Sequence, residues 1–320
     1  MIEKRYKITF LGTGIWPKRL ADLVNTHSDN NSYAVGVNLR KSLKSVFCAL
    51  NECATSDAVV RVGFRPGMIH WGGRLFDCFF ELFERFKPGA RFVYYWIGSD
   101  VYYQKRDVLK GNITRNFYRA LNKKHLSGAG WFVGELREVG IEPLVATFPL
   151  ELPVIKSYKS SKTLRVLTYI PDDRYKFYSG DLIRDLAVEF SSVRFDVIGG
   201  EGSWLRDKPI NMKFHGWVED ISQFLVYRPI LLRLVKHDAI GGTVREALCA
   251  GCHVVYTYRL PHTYYVNYGD FEGAASALNE IFNNSKDVGF LHNKGAKDFA
   301  LHEWDARTLT LNLISKIMGK

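Results

Sequence analysis

The chain has 320 residues and a formal net charge of +11; 47% of its residues are hydrophobic and 24% are charged. This length favours two domains, and the composition is that of an ordinary globular protein. No run approaches the roughly 20 apolar residues of a membrane-spanning helix, and the N-terminus has no signal-peptide pattern, so we expect a cytoplasmic protein. The positive charge favours an anionic partner: a nucleic acid, an anionic lipid or a phosphorylated substrate.

Short β-rich runs alternate with helical segments along the chain, which indicates βαβ units and parallel sheets. In the first half, strands are predicted at 6–11, 33–37, 58–62, 91–96, 131–133 and 144–148, and helices at 74–86 and 108–126. In the second half, strands are predicted at 163–169, 194–198, 211–214, 230–235 and 253–257, and helices at 179–190, 219–226, 242–250, 271–283 and 306–317. The polar, proline-containing segment 149–162 between them is interpreted as an interdomain linker.

The most specific signal in the chain lies at 231–256. Gly241, Gly242 and Thr243 open a helix after a buried strand and a short loop. The first amides of a helix lack intrahelical partners and lie at the positive end of its dipole, and glycines leave them open to a phosphate. Arg233 and Lys236 add positive charge nearby. The pattern favours a site for a diphosphate.

Two carboxylates accompany that helix start. Glu246, about one turn into the helix, offers a bidentate acceptor for a vicinal diol such as the hydroxyls of a ribose. Asp238, in the loop, can accept hydrogen bonds from a second polyhydroxylated group. The alternative is that both are solvated surface acids.

This segment resembles the donor-binding motif of retaining GT-B glycosyltransferases of family 4. That motif has an acidic residue, seven residues, Glu, and then Ala-hydrophobic-x-x-Gly-x-x-Val-Val; here it begins at Asp238, where the family usually has Glu, and continues from Glu246. The resemblance implies an α/β GT-B fold, in which two Rossmann-like doubly wound domains face each other across a cleft. Residues 1–155 would bind the acceptor and 156–320 the nucleotide sugar, with the terminal helix a candidate to pack back on the first domain.

The resemblance also implies residue roles. Asp238 would contact the donor sugar, the glycine-led helix start would hold the phosphates, and Glu246 would bind the ribose. Three more loops extend the resemblance: a glycine turn at 197–203, a signature near the nucleotide base at 214–220, and a basic loop at 173–176. The candidates in these loops are Gly200, His215, Gly216, Trp217, Arg174 and Lys176.

The first domain carries weaker signals. Gly12 and Gly14 begin a dinucleotide fingerprint, but Pro17 stands where the third glycine belongs, which disfavours a nicotinamide-dependent oxidoreductase. This turn is either an ordinary tight turn or, by the resemblance, a loop near the donor phosphate. Asp100 and His70 follow other predicted strands and are candidates for a catalytic base or an acceptor-positioning group. The alternatives are a helix N-cap for Asp100 and a structural role for His70.

Two stretches bear on membranes. Residues 105–125 carry seven basic residues against one acid, which predicts a basic amphipathic helix for anionic lipid or a lipid-linked phosphate, and so a peripheral position on the cytoplasmic membrane face. A solvated helix face is the alternative. Five phenylalanines between 76 and 86 follow helical spacing and are expected to pack in the core rather than to wedge into a membrane.

The prediction is a hexosyltransferase-like enzyme that moves a sugar from a nucleotide-sugar donor to a glycan or lipid-linked acceptor, with retention. We expect no cofactor and no metal, because no Asp-x-Asp occurs and Cys249-x-x-Cys252 has no second half and fits two small buried residues closing a helix. The alternatives are a nucleotide-sugar epimerase or hydrolase on the same fold, or a non-enzymatic nucleic-acid or membrane-binding module. No nucleic-acid motif occurs, so we expect no nucleic-acid partner.

Overall fold

The computed structural model describes residues 5–39, 43–63, 65–68, 71–161, 163–284 and 292–319. Its strands are β1 (Tyr6–Gly12), β2 (Ser32–Asn38), β3 (Ala58–Val62), β4 (Arg91–Trp96), β5 (Lys124–Ser127), β6 (Pro143–Val145), β7 (Arg165–Tyr169), β8 (Arg194–Ile198), β9 (Met212–Phe214), β10 (Ile230–Arg233), β11 (Val254–Tyr256) and β12 (Tyr264–Tyr265). Its helices are α1 (Trp16–His27), α2 (Leu43–Thr55), α3 (Trp71–Phe86), α4 (Ser99–Leu109), α5 (Arg115–Ala120), α6 (Phe132–Arg137), α7 (Gly180–Glu189), α8 (Ser222–Leu225), α9 (Gly242–Cys249), α10 (Phe271–Asn284), α11 (Ala296–Glu303) and α12 (Ala306–Met318). A 3-10 helix spans Asp172–Tyr178.

The chain divides into two units. Unit 1 comprises the described residues up to Glu151 together with those from Asp305 onward, and unit 2 is Leu152–Trp304. Helix α12 belongs to unit 1, where the fully buried Leu313 and Ile317 join its core.

Unit 1 contains a parallel six-stranded sheet of order β2-β1-β3-β4-β5-β6. Helices α1 and α12 pack on one face, and α2, α3 and α5 pack on the other. The strands are nearly continuous buried runs, as expected for a parallel sheet covered on both faces. The strand order reverses between β1 and β3, so the loops after these strands flank the switch point of the sheet.

Unit 2 contains a second parallel six-stranded sheet, of order β12-β11-β10-β7-β8-β9. Counted within the unit, the order is 3-2-1-4-5-6, the arrangement of doubly wound nucleotide-binding folds. Its switch point lies between β7 and β10. The loops that leave the carboxyl ends of these two strands are therefore the expected place for a ligand.

The predicted basic helix at 105–125, and with it the helix at 108–126, is wrong. Helix α4 ends at Leu109, Gly111 adopts a φ of +68°, and a short α5 and strand β5 follow. Several of its cations also form ion pairs: Lys105 with Glu138 at 2.6 Å, Arg119 with Glu81 at 2.7 Å and Lys123 with Glu84 at 2.7 Å. The strand predicted at 131–133 is wrong as well, since Phe132 begins α6. A short apolar run does not distinguish a strand from a buried helical turn.

The predicted linker at 149–162 contains no helix or strand among its described residues, yet it is fastened to unit 2. The Lys159 amide donates to the Val226 carbonyl at 2.8 Å, and the Arg228 guanidinium lies 3.6 Å from the centroid of the Tyr158 ring. From Leu152 onward the segment therefore belongs to unit 2 rather than forming a free tether.

Acid should weaken unit 1 through His125 in β5. Its ring is buried, contacts the Ala120 carbonyl oxygen through Nε2 at 2.8 Å and accepts from Trp96 Nε1 at 3.1 Å. Burial lowers the pKa of His125 from 6.5 to about 4, against the bond to Ala120. As the pH falls from 6.5 towards 4, His125 becomes protonated in the unfolded chain but stays neutral in the folded chain, so acid favours unfolding. Up to about 3 kcal/mol of unfolding free energy should be lost in that window.

Urea denaturation at stepped pH measures this loss. The His125→Gln variant should show a flatter profile between those two pH values, and the exposed His302→Gln is the matched control. An unchanged slope in His125→Gln would contradict the assignment.

Candidate functional site

A buried ion pair lies at the switch point of unit 2. Arg233, the last residue of β10, donates from Nε to Asp238 Oδ2 at 2.8 Å, and both side chains are buried. The same carboxylate oxygen accepts from the Gly241 amide at 3.2 Å and the Tyr256 hydroxyl at 3.3 Å, while Oδ1 accepts from the Ala239 amide at 3.1 Å. Asp238 thus shapes the loop that leads from β10 into α9.

The electrostatics of this pair follow from its burial. Burial disfavours the charge of Arg233, but the facing Asp238 carboxylate raises the pKa of the guanidinium above its ordinary value. Burial and Asp238 raise the pKa of Tyr256 well above its ordinary value, so its hydroxyl stays a donor. Among the described residues, Asp238 is the only acceptor of the Arg233 guanidinium, and the bond uses Nε alone. The two terminal nitrogens are left for another anion.

The start of α9 leaves no room for a side chain at Gly241. A Cβ at this position would lie 2.9 Å from both Asp238 Oδ2 and Arg233 Nη2. Within the described part of the chain, no acceptor meets the amides of Gly242 and Thr243, and Thr243 Oγ1 is buried without a hydrogen-bond partner. These donors are suited to phosphate oxygens, beside a cation. The structure thus brings together the ion pair and the predicted helix start.

Glu246 is the fifth residue of α9 and is half-buried. Its neighbour Arg245 is fully buried, with its guanidinium 5.5 Å from the centroid of the Trp304 ring. The helix therefore turns Arg245 towards the core of unit 2 and leaves Glu246 near the surface.

The 3-10 helix after β7 adds basic residues to this place. The Lys236 amide donates to the Phe177 carbonyl at 2.9 Å, which fastens the loop after β10 to the 3-10 helix. Arg174 and Arg233 both lie against the Tyr178 ring, with guanidinium carbons 5.6 and 5.0 Å from its centroid. Lys236 and Lys176 have exposed side chains. The predicted cations therefore lie around the junction of the 3-10 helix and the loop after β10. Arg174 and Arg233 both contact the Tyr178 ring there.

The predicted glycine turns after β8 and β9 are joined to each other by backbone bonds. The Gly216 amide donates to the Gly200 carbonyl at 3.2 Å, and the Gly199 amide donates to the Gly216 carbonyl at 2.6 Å. Gly200 also lies against the turn after β7, where a Cβ would be 2.7 Å from the Ile170 carbonyl oxygen. The loops after β7, β8 and β9 thus form one connected edge.

Asp172, the first residue of the 3-10 helix and not among the predicted site residues, organises that edge. Its carboxylate accepts from the amides of Glu201 at 2.9 Å, Gly202 at 2.9 Å and Ser203 at 3.1 Å. These amides lie 29 to 31 residues further along the chain, in another loop, so no local sequence signal predicts the contact.

Aromatic side chains in the same loops divide into packed and exposed ones. The rings of Tyr175 and Trp204 stack with centroids 4.8 Å apart and an interplanar angle of 3°. Trp217, a predicted base-binding residue, is 64% exposed. His215 bonds through Nε2 to the buried Asp196 at 2.8 Å, which ties it to β8 rather than to a ligand.

The candidates in unit 1 have structural contacts of their own. The Asp100 carboxylate is buried and accepts from the amides of Gly98 at 2.7 Å and Ile97 at 3.1 Å. The N-cap alternative is wrong, because Gly98 is the N-cap of α4 and Asp100 lies in its first turn, where it holds the preceding loop. A Cβ on Gly12 would lie 2.6 Å from a carbonyl oxygen of β3, which favours the tight-turn interpretation, whereas Gly14, with a φ of +72°, faces open space. His70 lies outside the described residues.

The cysteine pair closes α9. Gly251 has a φ of +69°, which ends the helix, and burial raises the pKa of Cys252 to about 12. In the described ranges, no three His, Cys, Asp or Glu side chains group as metal ligands.

Several glycosyltransferases of known structure have the same arrangement of two parallel six-stranded sheets with interleaved helices. HepE from Anabaena, in complex with UDP-glucose, matches with a TM-score of 0.71 and 12% identity over 98% of this chain and 100% of that one. Sucrose-phosphate synthase from Thermosynechococcus elongatus matches at 0.66 and 11%, over 97% and 98%. WaaG, a glycosyltransferase involved in lipopolysaccharide biosynthesis, matches at 0.65 and 13%, over 98% and 100%. No family model and no curated protein matches the sequence.

The chain therefore has the α/β GT-B fold, with two Rossmann-like units that each hold a parallel sheet. The predicted fold class and the resemblance to GT-B glycosyltransferases are confirmed at the level of the fold.

Proposed function

We propose that the chain is a glycosyltransferase that takes its sugar from a nucleotide-sugar donor held by unit 2. The observation that carries the proposal is the start of α9. There the amides of Gly242 and Thr243 have no acceptor among the described residues, beside a buried arginine with only one of its nitrogens engaged. This is the chemistry of a diphosphate site at the switch point of a doubly wound sheet.

The donor diphosphate is the leaving group of the reaction. Negative charge builds on it as the glycosidic bond breaks, and preorganised donors that face this charge lower the barrier. Arg233 and the α9 amides supply such donors, and Arg174, Lys176 and Lys236 add charge from neighbouring loops. This cationic set takes the part that a divalent metal plays in other transferases, so the proposal includes a metal-independent reaction.

The remaining roles follow from position. Glu246 accepts hydrogen bonds from the ribose, and the exposed Trp217 beside Gly216 offers a flat surface to the base. Asp238 holds Arg233 and the Gly241 amide; the contact to the donor sugar predicted for it stays a prediction.

The acceptor side of the proposal belongs to unit 1. The turn that carries Gly12 and Gly14 lies at the switch point of its sheet, where a ligand is expected. We infer retention of anomeric configuration from the resemblance to family 4. Proton NMR of the first product anomer tests this: an inverted anomer would contradict it.

Donor binding tests the whole proposal. A panel of nucleotide sugars, led by UDP-glucose because HepE binds it, should include one that raises the melting temperature of the chain. Gly241→Ala should raise the Kd of that donor more than about tenfold, because its Cβ collides with Arg233 and Asp238. Gly89→Ala, which meets open space, is the matched control.

A panel without any stabilising nucleotide sugar would contradict the donor site. Consumption of the donor in the absence of every acceptor would instead favour an epimerase or hydrolase on the same fold.

A further inference from the structure

One layer of unit 1 leaves apolar side chains in solvent. Helices α2, α3 and α5 pack on the same face of the sheet, through residues such as Ala49, Phe80 and Ala120. Lys87 at the end of α3 donates to the Ala54 carbonyl at the end of α2 at 2.8 Å, and Arg119 on α5 pairs with a glutamate of α3. The three helices are therefore neighbours in one layer.

The outer side of this layer is apolar along α3. Leu75, Leu82 and Phe86 are spaced seven and four residues apart, so they lie along one helical stripe. Leu75 and Leu82 are about half exposed and Phe86 is 78% exposed, while Phe47 on α2 is 71% exposed. Tyr118 on α5 is exposed as well. The phenylalanine stripe read from the sequence thus divides: Phe80 packs in the core, and Phe86 faces solvent.

On the same layer the carboxylates are all in ion pairs, whereas several cations are in none within the described part of the chain. Every carboxylate of α2, α3 and α5 is in an ion pair: Glu52, Asp77, Glu81 and Glu84. The remaining cations are exposed and take part in no ion pair with another described residue; they are Lys44, Arg74, Arg85 and Arg115. The outer side of the layer therefore combines exposed apolar groups with uncompensated positive charge.

We propose that the outer side of α2, α3 and α5 binds the surface of an anionic phospholipid bilayer. The apolar side chains enter the boundary between headgroups and acyl chains, and the arginines and lysine meet the lipid phosphates. No helix in the described ranges is long and apolar enough to cross a membrane. A second copy fits this surface poorly, because a symmetric contact would oppose its four cations to themselves. The inference does not rest on the donor site.

Vesicle co-sedimentation of the full chain tests the proposal. The chain should sediment with vesicles of phosphatidylglycerol diluted in phosphatidylcholine, and not with pure phosphatidylcholine. Arg74→Gln with Arg85→Gln should weaken binding about 20- to 30-fold, at about fivefold for each cation near the surface. Phe47→Ser with Phe86→Ser should weaken it at least about tenfold. Val154→Ser in unit 2, at an 84% exposed position, is the matched control.

Other outcomes overturn the proposal. Equal binding to both vesicle types, or no effect of the α3 substitutions in variants with unchanged melting temperature, would remove this surface as the lipid site. Self-association that Phe86→Ser abolishes would assign the layer to a second copy. Binding to RNA that Arg74→Gln with Arg85→Gln weakens, without vesicle binding, would assign it to a nucleic acid.

Discussion

The Asp238→Ala variant is expected to lose about 3–5 kcal/mol of unfolding free energy and most of its affinity for the donor. The substitution leaves Arg233 buried with no counter-ion, and removing one partner of a buried pair costs more than the pair itself contributes. It also releases the Gly241 amide, which Asp238 holds at 3.2 Å. Urea denaturation at neutral pH measures the first loss, and calorimetric titration with the donor measures the second.

A second substitution separates folding from binding. Adding Arg233→Met to Asp238→Ala removes the unpaired charge, and an apolar replacement of a buried ion pair is often tolerated. We expect the double variant to recover most of the stability and none of the donor affinity. Tyr256→Phe, which removes one hydroxyl from the same carboxylate, should cost only about 1 kcal/mol. Recovery of donor binding in the double variant would contradict the part assigned to Arg233.

The Glu246→Ala variant should bind the nucleoside diphosphate of the donor about 10- to 100-fold more weakly, at nearly unchanged stability. A hydrogen bond to a charged acceptor accounts for a loss of this size. The side chain is half-buried on a helix, and alanine is a good helix former, so folding should suffer little. The matched control is Glu189→Ala, an exposed acid on α7.

Pyrophosphate sharpens that test. Because Glu246 is assigned to the ribose and the α9 start to the phosphates, Glu246→Ala should leave the affinity for inorganic pyrophosphate unchanged. A 2′-deoxy nucleotide should likewise bind Glu246→Ala and the unchanged chain with similar affinity. If Glu246→Ala instead lost affinity for pyrophosphate as much as for the nucleoside diphosphate, Glu246 would act on the helix start rather than on the ribose.

The sequence predicted the β10-to-α9 segment well because its signals are local. The helix start follows from residues that are close in sequence: a buried strand, two glycines and a helical run. These residues position the amides of Gly242 and Thr243 without help from distant parts of the chain. The partners of Asp238 were not predictable in this way. Its bonds to Arg233 and Tyr256 depend on how two neighbouring strands end, and only the packed sheet determines that. The stack of Tyr175 on Trp204 joins two loops and is a tertiary feature too.

The failures in unit 1 have a related cause. Residues 105–125 have helical composition, but Leu126 and Ser127 are fully buried in the sheet, and that burial makes 124–127 a strand. Propensity is a weak guide when tertiary packing opposes it. Phe80 and Phe86 are six residues apart and lie on different sides of α3, so only Phe80 is buried against the sheet.

The return of α12 to unit 1 affects how the protein matures on the ribosome. Unit 2 is continuous in sequence, from Leu152 to Trp304, whereas unit 1 needs Leu313 and Ile317 to complete its core. During synthesis most of unit 1 leaves the ribosome early, but its core is incomplete until α12 has been made. Unit 2 can therefore complete its folding before unit 1. We expect this to reverse the usual N-terminal-first order of folding, so that a chain truncated just after Trp304 contains a folded unit 2 and an incompletely folded unit 1.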